Sequence, residues 1–186
     1  MVNTKLNIMT KVSVFAGIAF VLMRFFEFPF PLLWPDFLKF DFSDVPALII
    51  GFAISPAAGC AVVLIKNALF LLTGFNFIGV GANLCAGIAF TFVSSFVYSH
   101  NKTMKRAVIS IIYGILAMTV VMIPVNMALV RVWGIPENAA AKIVWIVIPS
   151  FNIVKGLLEG FLTYVSYKKI SAVFLKIKND KETIDK

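Results

Sequence analysis

The stretch of this 186-residue sequence richest in reactive groups is Pro149–Gly160 (PSFNIVKGLLEG). Asn152, Lys155 and Glu159 are spaced three and four apart, so on a helix their side chains share one face. The asparagine amide offers two donors and an acceptor and can read the edge of a heterocycle. The lysine and glutamate stand in an apolar run, where unpaired charges are expensive and usually mark function. Two readings fit: a polar ligand-binding face, or a Lys155–Glu159 pair that only locks a helix bundle. Asn126 follows a proline in an earlier apolar run, and it either faces the same cavity or bonds an interhelical carbonyl. Asn83 follows the small-residue stretch GVGA (79–82), which lets a backbone or ligand approach closely. Lys66 and Asn67 are polar neighbours in a further apolar run. Lys66 can snorkel, line the site, or pair with an acid such as Asp44.

The segment Glu27–Asp44 (EFPFPLLWPDFLKFDFSD) holds three prolines, five phenylalanines and a tryptophan in eighteen residues. Prolines restrict the backbone and lower the entropy lost on closure, and aromatic faces stack on planar ligands. The segment is either a lid over an outward-facing pocket or an interfacial aromatic belt. Its end, Asp41–Pro46, looks like a capped helix start, with Ser43 or Asp44 as N-cap and Pro46 in the first turn.

Other chemistries are missing from the pattern. No GxxxxGK[ST] loop is present, so ATP is not bound by that route. The single histidine, His100, lies in a basic loop, which excludes HExxH and most histidine triads. Cys60 and Cys85 have no metal-type spacing and read as small buried hydrophobes. Nothing pairs a nucleophile with a base, so binding with translocation fits better than catalysis. A small intramembrane enzyme using Lys155 and Glu159 as acid and base is the alternative from another class.

The elements that must position these residues are membrane helices. Hydrophobic residues make up 60% of the chain and charged residues 14%, with a mean hydropathy of +0.94. One soluble core could not hide so much apolar surface. The runs are continuous rather than alternating, as helices rather than barrel strands require. Six spans are expected, at about Val12–Phe26, Val45–Ile54, Ala57–Leu72, Ile78–Tyr98, Ala107–Val130 and Ile143–Tyr167. The second is too short to cross alone and must tilt, borrow flanking residues or sit inside the bundle. The first is a retained helix rather than a signal peptide, since it lacks a small-residue cleavage pattern.

The net charge of +8 arises from membrane flanks, not from a nucleic-acid-binding stripe. With both termini cytoplasmic, eleven basic residues lie inside, and Lys39, Arg131 and Lys142 lie outside. The expected architecture is thus an all-α integral membrane protein, a six-transmembrane-helix bundle with the long first outer loop as a lid. Residues 1–176 form one membrane domain, and 177–186 are a polar, frayed cytoplasmic tail.

These features resemble the S components of energy-coupling factor (ECF) vitamin transporters, most nearly the riboflavin-binding type. The resemblance rests on six helices, a long first outer loop and a short second helix. It also rests on Phe37–Ala47 (FLKFDFSDVPA), Leu64–Asn67 (LIKN) and Phe151–Gly156 (FNIVKG). It implies a multi-pass subunit of the cell membrane that captures riboflavin as substrate, with no cofactor and no catalytic centre. A transmembrane coupling protein and two cytoplasmic ABC ATPases would be its partners, alongside the lipid bilayer and without nucleic acid. The flavin would lie in the outer half of the bundle. Asn152 and Lys155 would bond its polar atoms with help from Asn126 and Asn83, near Glu159, and Leu38, Lys39 and Phe40 of the lid would cover the ring. Reorientation in the bilayer, driven by the ATPases, would release it inside. An S component for folate, thiamine or pantothenate is the neighbouring alternative. The family's AxxxA pattern on the first helix has its nearest equivalent in Ser13 and Gly17, with Ala16 beside them, as the coupling face.

Overall fold

An apolar chain in lipid has no water to satisfy its peptide groups, so each long run must close its hydrogen bonds internally. The computed structural model describes residues 2–74, 76–132 and 134–184, with side chains from Lys5 to Tyr167 apart from positions 75, 133 and 138. Helices dominate it: α1 (Val2–Phe25), α2 (Asp44–Ala53), α3 (Pro56–Leu71), α4 (Phe77–Ser99), α5 (Met104–Val132), α6 (Glu137–Lys142) and α7 (Ile148–Ile184). A π-helical turn, Ile143–Val147, joins α6 directly to α7. Four stretches are long and apolar enough to cross a membrane: Lys5–Phe25, Phe77–Ser99, Met104–Val132 and Ala139–Tyr167.

The two remaining apolar helices are shorter. At 10 residues, α2 spans about 15 Å against a hydrocarbon core of about 30 Å. Nine of its residues, Asp44 through Phe52, are buried, so α2 sits inside the bundle instead of facing lipid. That placement resolves the three options its length left open. Helix extends beyond the apolar runs at both ends of the chain. α1 begins at Val2, before the apolar run that starts near Val12, and the backbone of α7 is helical through Ile184.

Helix starts follow local chemistry. Ser55 caps α3 by accepting from the Ala58 amide at 3.2 Å, with Pro56 at the first position. Asn76 caps α4 through the Gly79 amide at 2.9 Å. Ser43 occupies the cap position of α2 but makes no side-chain cap bond. Its hydroxyl is committed to Asp41 instead.

The loop after α1 carries a short antiparallel hairpin, β1 (Phe28–Pro29) with β2 (Lys39–Phe40), in which Phe28 faces Phe40. Lys39 and Glu27 pair across it at 3.3 Å. Two apolar clusters hold the bundle. One joins α2, α4, α5 and α7 around Phe52, Phe90, Met118 and Ile148. The other joins α1, α2 and α3 around Ala16, Ala19, Ala47, Val62 and Val63. Exposed Val14, Ile18, Leu116, Val120, Leu157 and Phe161 lie outside these clusters and suit contact with lipid.

Lipid offers no hydrophobic drive between helices, so close packing over small residues does the joining. At Gly114 a Cβ would lie 2.8 Å from the Phe90 carbonyl oxygen of α4. Backbone cannot step aside cheaply, so Gly114→Val should separate α4 from α5 and cost about 1–3 kcal/mol by overpacking. A thermal melt of the purified protein in detergent checks this; an unchanged midpoint would refute the close contact.

Candidate ligand-binding site

The helix ends nearest the hairpin enclose a cavity of about 180 Å³. Its walls come from the C-terminal end of α1, the hairpin loop, α3, α4, α5 and the first turns of α7. Six residues singled out from the sequence line it: Leu38, Lys39, Asn83, Asn126, Asn152 and Lys155. Asn126 on α5 and Asn152 on α7 both line the cavity, and both are buried. Each turns one amide N–H back to its own helix, Asn126 to the Met122 carbonyl at 2.9 Å and Asn152 to the Ile148 carbonyl at 3.0 Å. Asn126 thus combines a cavity position with an intrahelical bond, not an interhelical one. Those bonds orient the side chains and use one of the two N–H donors of each amide.

Lys155 is anchored by a residue that spacing along α7 does not suggest. Its ammonium donates to Asp41 Oδ2 at 2.7 Å, whereas Glu159 Oε1 is 4.0 Å away. Asn83 Nδ2 also reaches Asp41 Oδ2, at 3.3 Å. The other oxygen, Oδ1, accepts from the Ser43 backbone N–H at 2.9 Å and from the Ser43 hydroxyl. Lys66 in turn donates to the Ser43 hydroxyl and to Asp44 Oδ1, the latter at 2.6 Å. Among the options for Lys66, the structure therefore shows the pair with Asp44. Gly87 of α4 makes room for it, since a Cβ there would lie 2.8 Å from Asp44 Oδ1.

The result is a buried polar chain, Lys66–Ser43–Asp41–Lys155, that ties α3, the lid's end and α7 together. Burial pushes the Asp41 carboxyl up, but the Lys155 and Lys66 ammonium groups and the bonds from Lys155 and Ser43 outweigh it. The carboxyl is held well below the usual carboxylate range.

Aromatic contacts close the cavity from the lid side. Phe40 packs on Phe151 at 4.7 Å between ring centroids, and Trp34 meets Phe40 at 5.4 Å and Phe151 at 5.9 Å. The Trp34 indole N–H donates to the Ser150 hydroxyl at 3.1 Å. The segment is thus folded onto the first turn of α7.

The structure sets three of the other candidates apart from the cavity wall or from the exposed face of α1. Phe40 does not line the cavity; it is 4% exposed and forms part of the apolar cluster behind the wall, because its partner ring is Phe151. Glu159 does not line it either. It lies one helical turn deeper than Lys155 and is fully buried. On α1, Ser13 is exposed, and a Cβ at Gly17 would meet nothing within 4 Å, but Ala16 is fully buried against α2 and α3. Ala16 belongs to the bundle-facing side, so the exposed small-residue face is Ser13 with Gly17.

The cavity also draws on residues outside the candidate set. Asp41 reads locally as part of a helix cap, and only folding sets it against Lys155. Phe70, Asn76, Met122 and Phe151 line the wall as well. Asn76 had a visible signal, standing as a cap residue before an apolar run; the others look like ordinary apolar positions.

Comparison with known proteins agrees with this architecture. The family model for the ECF transporter substrate-specific component matches residues 7–167. The chain is 36% identical to the riboflavin transporter FmnP of Bacillus subtilis (strain 168), over 94% of this chain and 93% of that protein. It is 35% identical to the riboflavin transporter RibU of Staphylococcus aureus (strain TCH60), over 89% and 90%. A solved structure of the S component of a bacterial ECF transporter superposes with a TM-score of 0.79 at 32% identity, covering 92% of this chain and 99% of that one. The family consists of transporter subunits, not enzymes. By sequence and by fold, this membrane protein belongs to the substrate-specific components of ECF transporters.

Proposed function

We propose that the chain is a riboflavin-binding S component that captures the vitamin outside the cell. The observation that carries this reading is the cavity itself. It lies under an aromatic lid, and its wall presents Asn126, Asn152 and a lysine held in place by Asp41. A flat heterocycle with imide, carbonyl and hydroxyl groups suits that combination: aromatic and apolar surface for the ring, amides and an ammonium for its edge. Asn152 and Lys155 bond the polar edge, Asn126 and Asn83 assist, and Leu38 and Lys39 cover the ring. Phe40 supports the lid from behind. Glu159 acts below the cavity rather than on the ligand.

At about 180 Å³ the cavity is smaller than the roughly 300 Å³ where small-molecule sites begin. Admitting a flavin therefore requires the lid to move away from Phe151 and Ser150, and its return covers the ligand. The bundle, four long helices with the shorter α2 and α3 packed among them, lies in the plasma membrane with both termini inside, so that the cavity faces the exterior. Residues 1–176 act as one membrane domain, with 177–186 as a cytoplasmic extension. A coupling protein and two ABC ATPases supply the energy for inward release.

The test is the fluorescence of riboflavin added to detergent-purified protein. Binding under the lid should quench the flavin, and Asn152→Ala should weaken the response. Losing one such hydrogen bond costs about 1–3 kcal/mol, roughly five- to 150-fold in affinity. Folded protein that leaves riboflavin fluorescence unchanged would overturn the assignment.

The coupling face yields a separate expectation. Ser13 and Gly17 leave α1 open to close approach by another helix. Gly17→Leu should keep riboflavin binding intact while reducing vitamin uptake in cells carrying the partner subunits. Equal loss of both activities would remove this face from consideration.

A further inference from the structure

Five charged side chains are buried among the described residues: Asp41, Asp44, Lys66, Lys155 and Glu159. Four of them pair, Lys66 with Asp44 and Lys155 with Asp41. Glu159 is left over. Its nearest ammonium, Lys155 Nζ, is 4.0 Å away and already engaged by Asp41. Neither carboxylate oxygen of Glu159 has a hydrogen-bond partner among the described residues.

Three carboxylates against two ammonium groups leave one negative charge uncompensated inside the bundle. An ionised carboxylate without donors or a counter-charge is not tolerated in such surroundings. The positive end of α2 supplies about half a charge, but Asp44, in its first turn, already takes that place. A second observation points the same way. Thr163 lies one turn beyond Glu159 on the same face of α7, fully buried, with its hydroxyl unpartnered. Helical threonines ordinarily bond back to their own helix. Asp44 Oδ2 is also buried and unpartnered. The unpartnered atoms of these three residues are thus carboxylate and hydroxyl oxygens. Such a set favours hard cations, and the charge deficit is one.

We propose that Glu159 binds one monovalent cation, a proton or an alkali-metal ion, in the bundle beneath the outer cavity. Thr163 is the further oxygen ligand when the occupant is an alkali ion. The charged groups acting on Glu159 are Lys155 on its own helix, Asp41 from the lid, Asp44 from α2 and Lys66 from α3. The α5 side chains packed on this stretch of α7 are the uncharged Ile111, Ile115 and Met118. This inference concerns the charge balance of the fold and does not depend on which vitamin the cavity takes.

The experiment is thermal melting of the full-length purified protein without added vitamin, comparing wild type with Glu159→Gln. One series exchanges sodium, potassium and the bulky N-methylglucamine cation at constant pH and ionic strength. A second varies pH from mildly acidic to alkaline at constant ions. An alkali-ion site predicts a wild-type midpoint raised by sodium or potassium over N-methylglucamine, with the effect lost in Glu159→Gln and reduced in Thr163→Val. A proton site predicts no ion preference and a wild-type midpoint that falls as pH rises, because folding then has to take up a proton. Glu159→Gln, neutral at every pH, should flatten that slope. Parallel behaviour of wild type and Glu159→Gln in both series overturns the proposal. If Glu159→Gln cannot be purified, the wild type decides. An infrared band of a buried carboxylic acid or ion-selective melting supports the proposal, and the lack of both overturns it.

Discussion

Asp41→Leu should destabilise the protein by about 3–5 kcal/mol, the cost of leaving a buried charge without its partner. Lys155 would lose its contact at 2.7 Å, Asn83 its acceptor at 3.3 Å, and Ser43 the anchor for both its N–H and its hydroxyl. The same change should weaken riboflavin binding, because Asp41 sets where the Lys155 ammonium stands in the cavity wall. Loss of a well-directed charged hydrogen bond of about 1.5–3 kcal/mol corresponds to a reduction of roughly ten- to hundredfold. Chemical or thermal unfolding and flavin titration measure the two effects separately. Adding Lys155→Met to Asp41→Leu should recover much of the stability, since no charge is then stranded, but not the affinity. If the double variant is as unstable as the single variants combined, the two residues do not act as a pair.

Lys66→Met should be comparably damaging to stability, about 3–5 kcal/mol, by leaving Asp44 buried at the start of α2 without its partner at 2.6 Å. Lys66 does not line the cavity, so its effect on the affinity of the protein that remains folded should be smaller than that of Asp41→Leu. Replacing Asp44 by leucine in the same chain should restore stability, as apolar substitutes for a buried pair often do. Failure of Asp44→Leu to rescue Lys66→Met would mean that Lys66 holds the bundle chiefly through Ser43. The midpoint of unfolding in detergent distinguishes these outcomes.

The sequence by itself determined the solvent, the elements and one polar face. Hydropathy and run length place the chain in a membrane, because apolar segments without water must become helices. Spacing alone puts Asn152 and Lys155 on one side of α7, since the helical period converts separation along the chain into direction. The cluster of prolines and aromatics after α1 narrows that segment to a lid or an interfacial belt, and the apolar surroundings of Lys66 admit a nearby acid as one of three options.

What tertiary structure decided are the relations between elements. Asp41 and Lys155 are separated by 114 positions, and no local pattern says that the lid's carboxylate, rather than Glu159, takes the ammonium. Periodicity gives a side chain's azimuth but not its depth, so Glu159 shares the face of Lys155 and yet lies beneath the cavity. The burial of Ala16 depends on which neighbour α1 packs against, and Phe40 turns behind the wall because Phe151 offers a ring there. A single helix specifies faces; only the packed bundle specifies what each face meets.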